Sequence, residues 1–144
     1  MLKLNKKVEY ALMALLNMDG RRAADLATAR EVADSCGAPL ELLGKVLQAL
    51  ARAGLIESVQ GAHGGYRLAR SADRVTLGEV IEAVDGPVHI AACQDDPSRC
   101  GQYPTCNIRQ PVVRVQRQLH DYMYGLSLAA FRRDQVAEAA APTK

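Results

Sequence analysis

The sequence predicts a mainly α fold with one small β-hairpin and a long C-terminal helix. Three observations carry this. Apolar residues recur at helical spacing over most of the first half. One Gly-rich segment, Gln60–Gly65, separates two short alternating runs. After residue 107 apolar residues are spaced 4, 3, 4, 3, 4. With 49% hydrophobic residues, no Trp and one Phe, the core must be built from Leu, Ala and Val, which favours helices.

Val8, Ala11, Leu12, Leu15 and Leu16 form one apolar face of a helix from about Lys6 to Met18, ended by Asp19-Gly20. Glu9 lies off this stripe and, taken alone, reads as a solvated carboxylate. Thr28 and Glu31 make a capping box that starts a second helix, running to Cys36-Gly37 with Gly37 as its C-cap. Cys36 reads as a small core residue. Pro39 opens a third helix. Leu40, Leu43, Val46, Leu47 and Leu50 continue a buried face through Ala53, and Gly54 stops it. Two helices joined by a short Gly-containing turn make a helix-turn-helix.

Leu55–Val59 and Tyr66–Ala69 then form a β-hairpin around the Gly-rich tip. A helix-turn-helix followed at once by a hairpin is a winged helix, in which the second helix enters the major groove and the hairpin reaches the flanking groove or backbone. Residues 1–86 are assigned to this unit. Its DNA-facing candidates are Thr28, Pro39, Leu40, Glu41, Gly44, Lys45 and Gln48 on the helices. On the wing they are Gln60, Gly61, His63, Gly64, Gly65, Tyr66 and Arg67. Lys45 is suited to phosphate or guanine and Gln48 to adenine. Gly44 costs about 1 kcal/mol relative to Ala inside a helix, and either close approach to DNA or helix packing would account for it. The hairpin also has a plain reading as a structural turn. No Gly-Lys-Ser/Thr follows the glycines, so a nucleotide loop is weakly supported.

Thr76 and Glu79 make another capping box, for a helix to about Val84 that Asp85-Gly86-Pro87 terminates. Residues 87–106 then carry Cys93, Cys100 and Cys106 at C-x6-C-x5-C among Gly, Pro, Asp and Ser. Thiolates are soft ligands for iron–sulfur clusters, zinc and copper(I). The tight cysteine pairs of structural zinc sites are missing, and the odd local count argues against a disulfide framework. The longer gaps suit a wider object such as a cluster. Three thiolates leave most clusters one ligand short.

Asn107 is placed to cap a long helix with Pro111 in its first turn. Ile108, Val112, Val115, Leu119, Tyr122 and Leu126 form a heptad seam along it. An intramolecular amphipathic helix would give the same pattern. A two-fold operator requires a dimer, so the seam is assigned to a subunit interface. Ser127 caps a last helix to about Glu138, giving a dimerisation segment over 107–138, and residues 139–144 are expected to be a frayed tail.

The net charge of +2 makes no general case for nucleic acid, but residues 1–70 are net positive and 71–106 net negative. No apolar run reaches the roughly 20 residues needed to span a membrane. Glu9 interrupts the first apolar segment, so no signal peptide is read, and a cytoplasmic protein is expected. Three scattered histidines, no dinucleotide loop and no radical-chemistry cysteine motif argue against an enzyme or a small-molecule substrate.

From Met1 to about Asp134 the chain resembles the family of winged-helix iron–sulfur regulators that includes IscR and NsrR. The most specific pieces are GLIESVQGAHGGYRLAR (Gly54–Arg70), VTLGEVIEAVDGPV (Val75–Val88) and the three cysteines. The resemblance implies a homodimer with crossed long helices that represses transcription from double-stranded operator DNA. It implies a cluster held between the long helix of one subunit and the N-terminal region of the other, with iron–sulfur status, redox state or nitric oxide as the signal. Arg109 stands where IscR-like members have a ligating His. Glu9-Tyr10 fits the place where NsrR-like members offer a carboxylate from the partner's first helix. Glu9 is therefore the preferred fourth ligand, ahead of His89, His120 or an exogenous group. The cluster type, 2Fe-2S or 4Fe-4S, stays open. Gln60 and Gly44-Lys45 depart from the IscR-like reading residues, so a different operator is expected. The competing expectation is a thiol-switch or zinc-stabilised DNA-binding regulator without a cluster.

Overall fold

The computed structural model describes residues 3–141. Its elements follow in the order α1 (Lys6–Asp19), α2 (Ala29–Cys36), α3 (Leu40–Arg52), β1 (Ile56–Val59), β2 (Gly65–Leu68), α4 (Leu77–Asp85), α5 (Ala92–Asp95), α6 (Arg109–Gly125) and α7 (Leu128–Ala140). This is the mainly α, winged helix-turn-helix architecture that the sequence predicts.

The helix starts are chemically explicit. The Asn5 side chain accepts from the Val8 N–H at 3.1 Å and caps α1. Both capping boxes, Thr28 with Glu31 and Thr76 with Glu79, are reciprocal. Gly37 ends α2 in the left-handed region at φ 62°. Helices α1 to α4 close one core in which Val8, Leu15, Val32, Leu43, Leu47, Leu50, Leu55 and Val80 are almost fully buried. Each such Leu contributes about 1.5–3 kcal/mol by burial. Leu40 departs from this face. The sequence places it on the buried stripe, yet it is 40% exposed, and the buried face of α3 begins at Leu43.

The hairpin is antiparallel, with Ile56 opposite Leu68 and Val59 opposite Gly65. An isolated β-bridge, not foreseen, joins it at Ala27. The Ala27 N–H donates to the Tyr66 carbonyl at 2.9 Å and the Tyr66 N–H to the Ala27 carbonyl at 2.8 Å. The wing is thereby fixed to the loop before α2.

The C-terminal elements dock on α4. The Leu77 N–H donates to the Leu126 carbonyl at 2.9 Å and the Leu128 N–H to the Val75 carbonyl at 2.7 Å. The Tyr124 ring packs against Gly78, where a Cβ would fall 2.3 Å from a ring carbon. Arg132 donates to Asp19 at 3.0 Å and ties α7 to the end of α1.

Three expectations about the C-terminal part need correction. Asn107 does not cap α6; the helix starts at Arg109 with Ile108 in the N-cap position and no side-chain cap. The apolar seam divides into two lines. Leu119 packs against the core, and Val112 and Leu126 are half-buried. Ile108, Val115 and Tyr122, seven residues apart, are 60%, 52% and 67% exposed. The tail assignment is also too long, since Ala139 and Ala140 belong to α7; residues 142–144 lie outside the described residues. No helix among the described residues is long and apolar enough to cross a membrane.

Candidate nucleic-acid interface and cysteine loop

The outward face of α3 carries Leu40, Glu41, Gly44, Lys45 and Gln48 in neighbouring turns, because Leu43, Val46, Leu47 and Leu50 occupy the inward face. Glu41, Lys45 and Gln48 are exposed. The Lys45 ammonium lies 3.5 Å from the Glu41 carboxylate. Both groups are solvated, so the pair adds little stability and leaves Lys45 available to an anion. Pro39 occupies the N-cap position of α3 without a side-chain hydrogen bond.

The other candidates divide between surface and scaffold. Gln60, Gly61, His63 and Arg67 are exposed on the wing, Gln60 donating to the Ser58 hydroxyl at 3.3 Å and Arg67 to Glu57 at 2.9 Å. Gly64 and Gly65 have a structural reason. A Cβ on Gly64 would lie 2.2 Å from the Val59 carbonyl oxygen, and one on Gly65 would lie 2.8 Å from that of Ala27. Tyr66 is half-buried against the core. Thr28 is exposed, but its hydroxyl accepts from the Glu31 N–H at 3.2 Å. The Thr28 N–H in turn holds the Glu31 carboxyl below the usual carboxylate range.

The cysteine loop is a chain of short turns. Cys93 lies in α5, Cys100 ends a 3₁₀ turn at Pro97–Arg99, and Cys106 ends another at Tyr103–Thr105. All three thiols are free and half-buried, as is Cys36 beside Ser35. Asp96 accepts from the Ser98 hydroxyl at 2.7 Å and the Ser98 N–H at 2.9 Å, and these two bonds hold its carboxyl below the usual range. The Arg109 guanidinium sits 4.5 Å from the centre of the Tyr103 ring and pins the end of the loop to the first turn of α6.

Two glutamines that sequence reasoning missed tie the loop down at its other end. The Gln94 carbonyl accepts from the N–H groups of Ile90 and Ala91, both at 3.1 Å. The Gln116 carbonyl, on α6, accepts from the Ile90 N–H at 3.0 Å, and its amide donates to the Val88 carbonyl. The Gln94 amide nitrogen is buried with no partner among the described residues. The available signal was Gln116 itself, a polar residue on the inward line of α6 that also holds Val112, Leu119 and Met123.

Of the candidate fourth ligands, His89 and His120 line one cavity with Gln116 and Tyr124, and Glu9 is not among its lining residues. Glu9 sits in the first turn of α1 beside Lys6. His89 is exposed after α4, and His120 stacks on Tyr124 with ring centres 4.4 Å apart. The Tyr124 hydroxyl donates to Glu82, which pushes the phenol up to about 12. Among the described residues no three His, Cys, Asp or Glu side chains are gathered to hold a metal ion.

The profile of the Rrf2 family, described as iron-dependent transcriptional regulator, matches residues 4–134. The chain belongs to the Rrf2 family. It is a transcriptional regulator and not an enzyme. It is 28% identical over 133 residues to the HTH-type transcriptional regulator IscR of Vibrio campbellii, covering 92% of this chain and 79% of that one. It is 26% identical over 133 residues to protein rrf2 of Nitratidesulfovibrio vulgaris, covering 92% and 89%. Two solved structures share the fold at 22% identity and a TM-score of 0.69. IscR of T. potens covers 99% of this chain and 94% of its own. CymR, the global cysteine regulator of B. subtilis, covers 91% and 96%. In this Rrf2-family chain the donor set fits an iron–sulfur cluster by chemistry, since three free thiols share one loop. Within one protomer they are not drawn together.

Proposed function

We propose that this Rrf2-family chain is a homodimeric repressor that binds double-stranded operator DNA and holds an iron–sulfur cluster on its cysteine loop. The reading of DNA rests on the exposed row Glu41, Lys45 and Gln48 of α3 beside the exposed wing residues Gln60 and Arg67. The cofactor reading rests on one observation. Cys93, Cys100 and Cys106 are all free on a loop fastened to α6 at both ends, by Gln116 and by Arg109. These three thiolates would hold the cluster, with Glu9 of the partner subunit as fourth ligand. Glu9 carries a hard carboxylate in the first turn of α1, in an ion pair with Lys6. When bound, the cluster supplies an iron centre whose integrity follows iron supply, oxidant and nitric oxide. The units serving this function are residues 1–86 for DNA, 87–106 for the cofactor and 107–138 for dimerisation.

The chain's own residues provide the path from loop to reading head. Gln116 couples the first turn of the loop to α6, and Tyr124 couples α6 to α4 through Gly78 and Glu82. Helix α4 packs on α1 and α3. A change in the loop therefore bears on the angle of α3 through packed elements. Ile108, Val115 and Tyr122 supply the apolar line for the subunit interface.

A thiol-switch or zinc-stabilised regulator is the second reading, its thiol-switch form favoured by the half-buried free thiols. The absorption spectrum of protein purified without oxygen, with iron and acid-labile sulfide counted on the same sample, separates the two. A brown protein with matching iron and sulfide is expected, and the ratio per chain distinguishes 2Fe-2S from 4Fe-4S. A colourless protein with zinc or no metal would overturn the cluster in favour of the second reading.

A further inference from the structure

Helix α3 carries a glycine near its middle for which the fold gives no reason. Gly44 has no left-handed φ, so its backbone conformation is open to any residue. A Cβ built on it meets no heavy atom within 4 Å, unlike those built on Gly64, Gly65 and Gly78. Packing therefore does not demand glycine here, and a glycine inside a helix weakens that helix relative to alanine. What remains is an outside body that approaches α3 more closely than a Cβ allows.

The surroundings of Gly44 indicate what that body is. Leu40, Gly44 and Gln48 are spaced by four and form one line along the helix. Leu40 is exposed and apolar, and Gly44, one turn on, leaves open space where a Cβ would stand. The Glu41–Lys45 ion pair runs alongside, and Gln48 follows one turn later. The major groove presents one apolar base-edge group, the 5-methyl of thymine. We infer that Gly44 and Leu40 form a notch for a thymine methyl, so that Gly44 is a specificity-determining residue of this chain. The inference rests on reading α3 as the recognition helix.

The test begins by selecting a duplex from a random pool with the full-length protein. Each thymine of the selected half-site is then replaced in turn by deoxyuridine, which lacks the methyl but keeps every hydrogen-bonding group. Wild type and Gly44→Ala are titrated against each duplex at one salt concentration. The variant should bind the parent duplex about tenfold or more weakly, while its binding to unrelated duplex, set by phosphate contacts, stays unchanged. Deoxyuridine at one thymine per half-site should bring the variant back to within about threefold of wild type, since the added methyl then fills the place of the lost one. The variant should also melt about 2–5 °C higher than wild type. Wild-type affinity of Gly44→Ala for the parent duplex, a loss that no deoxyuridine relieves, or a lowered melting temperature would each overturn the notch. A wild-type protein that enriches no duplex would remove the DNA reading of α3, and the notch with it.

Discussion

An alanine at Gly65 would put its Cβ 2.8 Å from the Ala27 carbonyl oxygen, in the bond pair that fastens the wing to the loop before α2. Neither backbone segment can yield without losing hydrogen bonds. Gly65→Ala should therefore destabilise the protein by about 1–3 kcal/mol, read by denaturant unfolding. Gly65 was a DNA candidate by its place in the wing, because a sequence pattern does not distinguish a glycine needed for close backbone contact from one exposed to a ligand. Thr28 repeats the lesson, with its hydroxyl committed to the start of α2. Thr28→Ala should cost about 1 kcal/mol. The pH dependence of this cap has a definite sign. The folded-state carboxyl of Glu31 is depressed by its bond from the Thr28 N–H, so its contribution is present above the usual carboxylate range and is lost as pH falls through the folded value. Wild type and Glu31→Ala should therefore converge in stability on acidification, measured by unfolding at a series of pH values.

The regular elements were legible because each is bounded by local chemistry. Thr28 with Glu31, Thr76 with Glu79, Gly37 and Ser127 mark helix ends within a few residues of one another in sequence. Asn107 misled for the same local reason. A capping residue stood at the right place, but Ile108 and the Tyr103–Arg109 stack set the start of α6. The division of the α6 seam was not legible, because heptad spacing does not say which line the chain's own core takes. The structure gives Leu119 to the core and leaves Ile108, Val115 and Tyr122 outside. Val115→Asp with Tyr122→Asp should convert a dimer to a monomer in analytical ultracentrifugation without unfolding it, since neither residue supports the protomer core. The Gln116 tether was also hidden, being made of long-range bonds across 26 and 28 positions. Gln116→Leu keeps the packing volume and removes the bonds to Ile90 and Val88. Thiol alkylation of Cys93 should be faster in that variant, followed by mass spectrometry of the modified peptide.

At the scale of the molecule, the winged helix-turn-helix fold was legible from periodicity, capping and turn chemistry together, each pointing to the same architecture. The cofactor site was legible only as a donor set. The spacing of Cys93, Cys100 and Cys106 names candidate ligands, but among the described residues the short turns between them do not gather a metal-holding group. The proposed sharing of the site between subunits would leave no local signature beyond the carboxylate of Glu9. The loop, α6 and α4 form one packed path to α3, and the proposed function requires that occupancy of the loop and grip on DNA belong to one equilibrium. The most direct test is the affinity of anaerobically purified protein for its selected duplex, measured at one salt concentration before and after iron is removed by a chelator. The account predicts a difference of about tenfold or more between the two forms. Equal affinities, with both forms folded and dimeric, would contradict it.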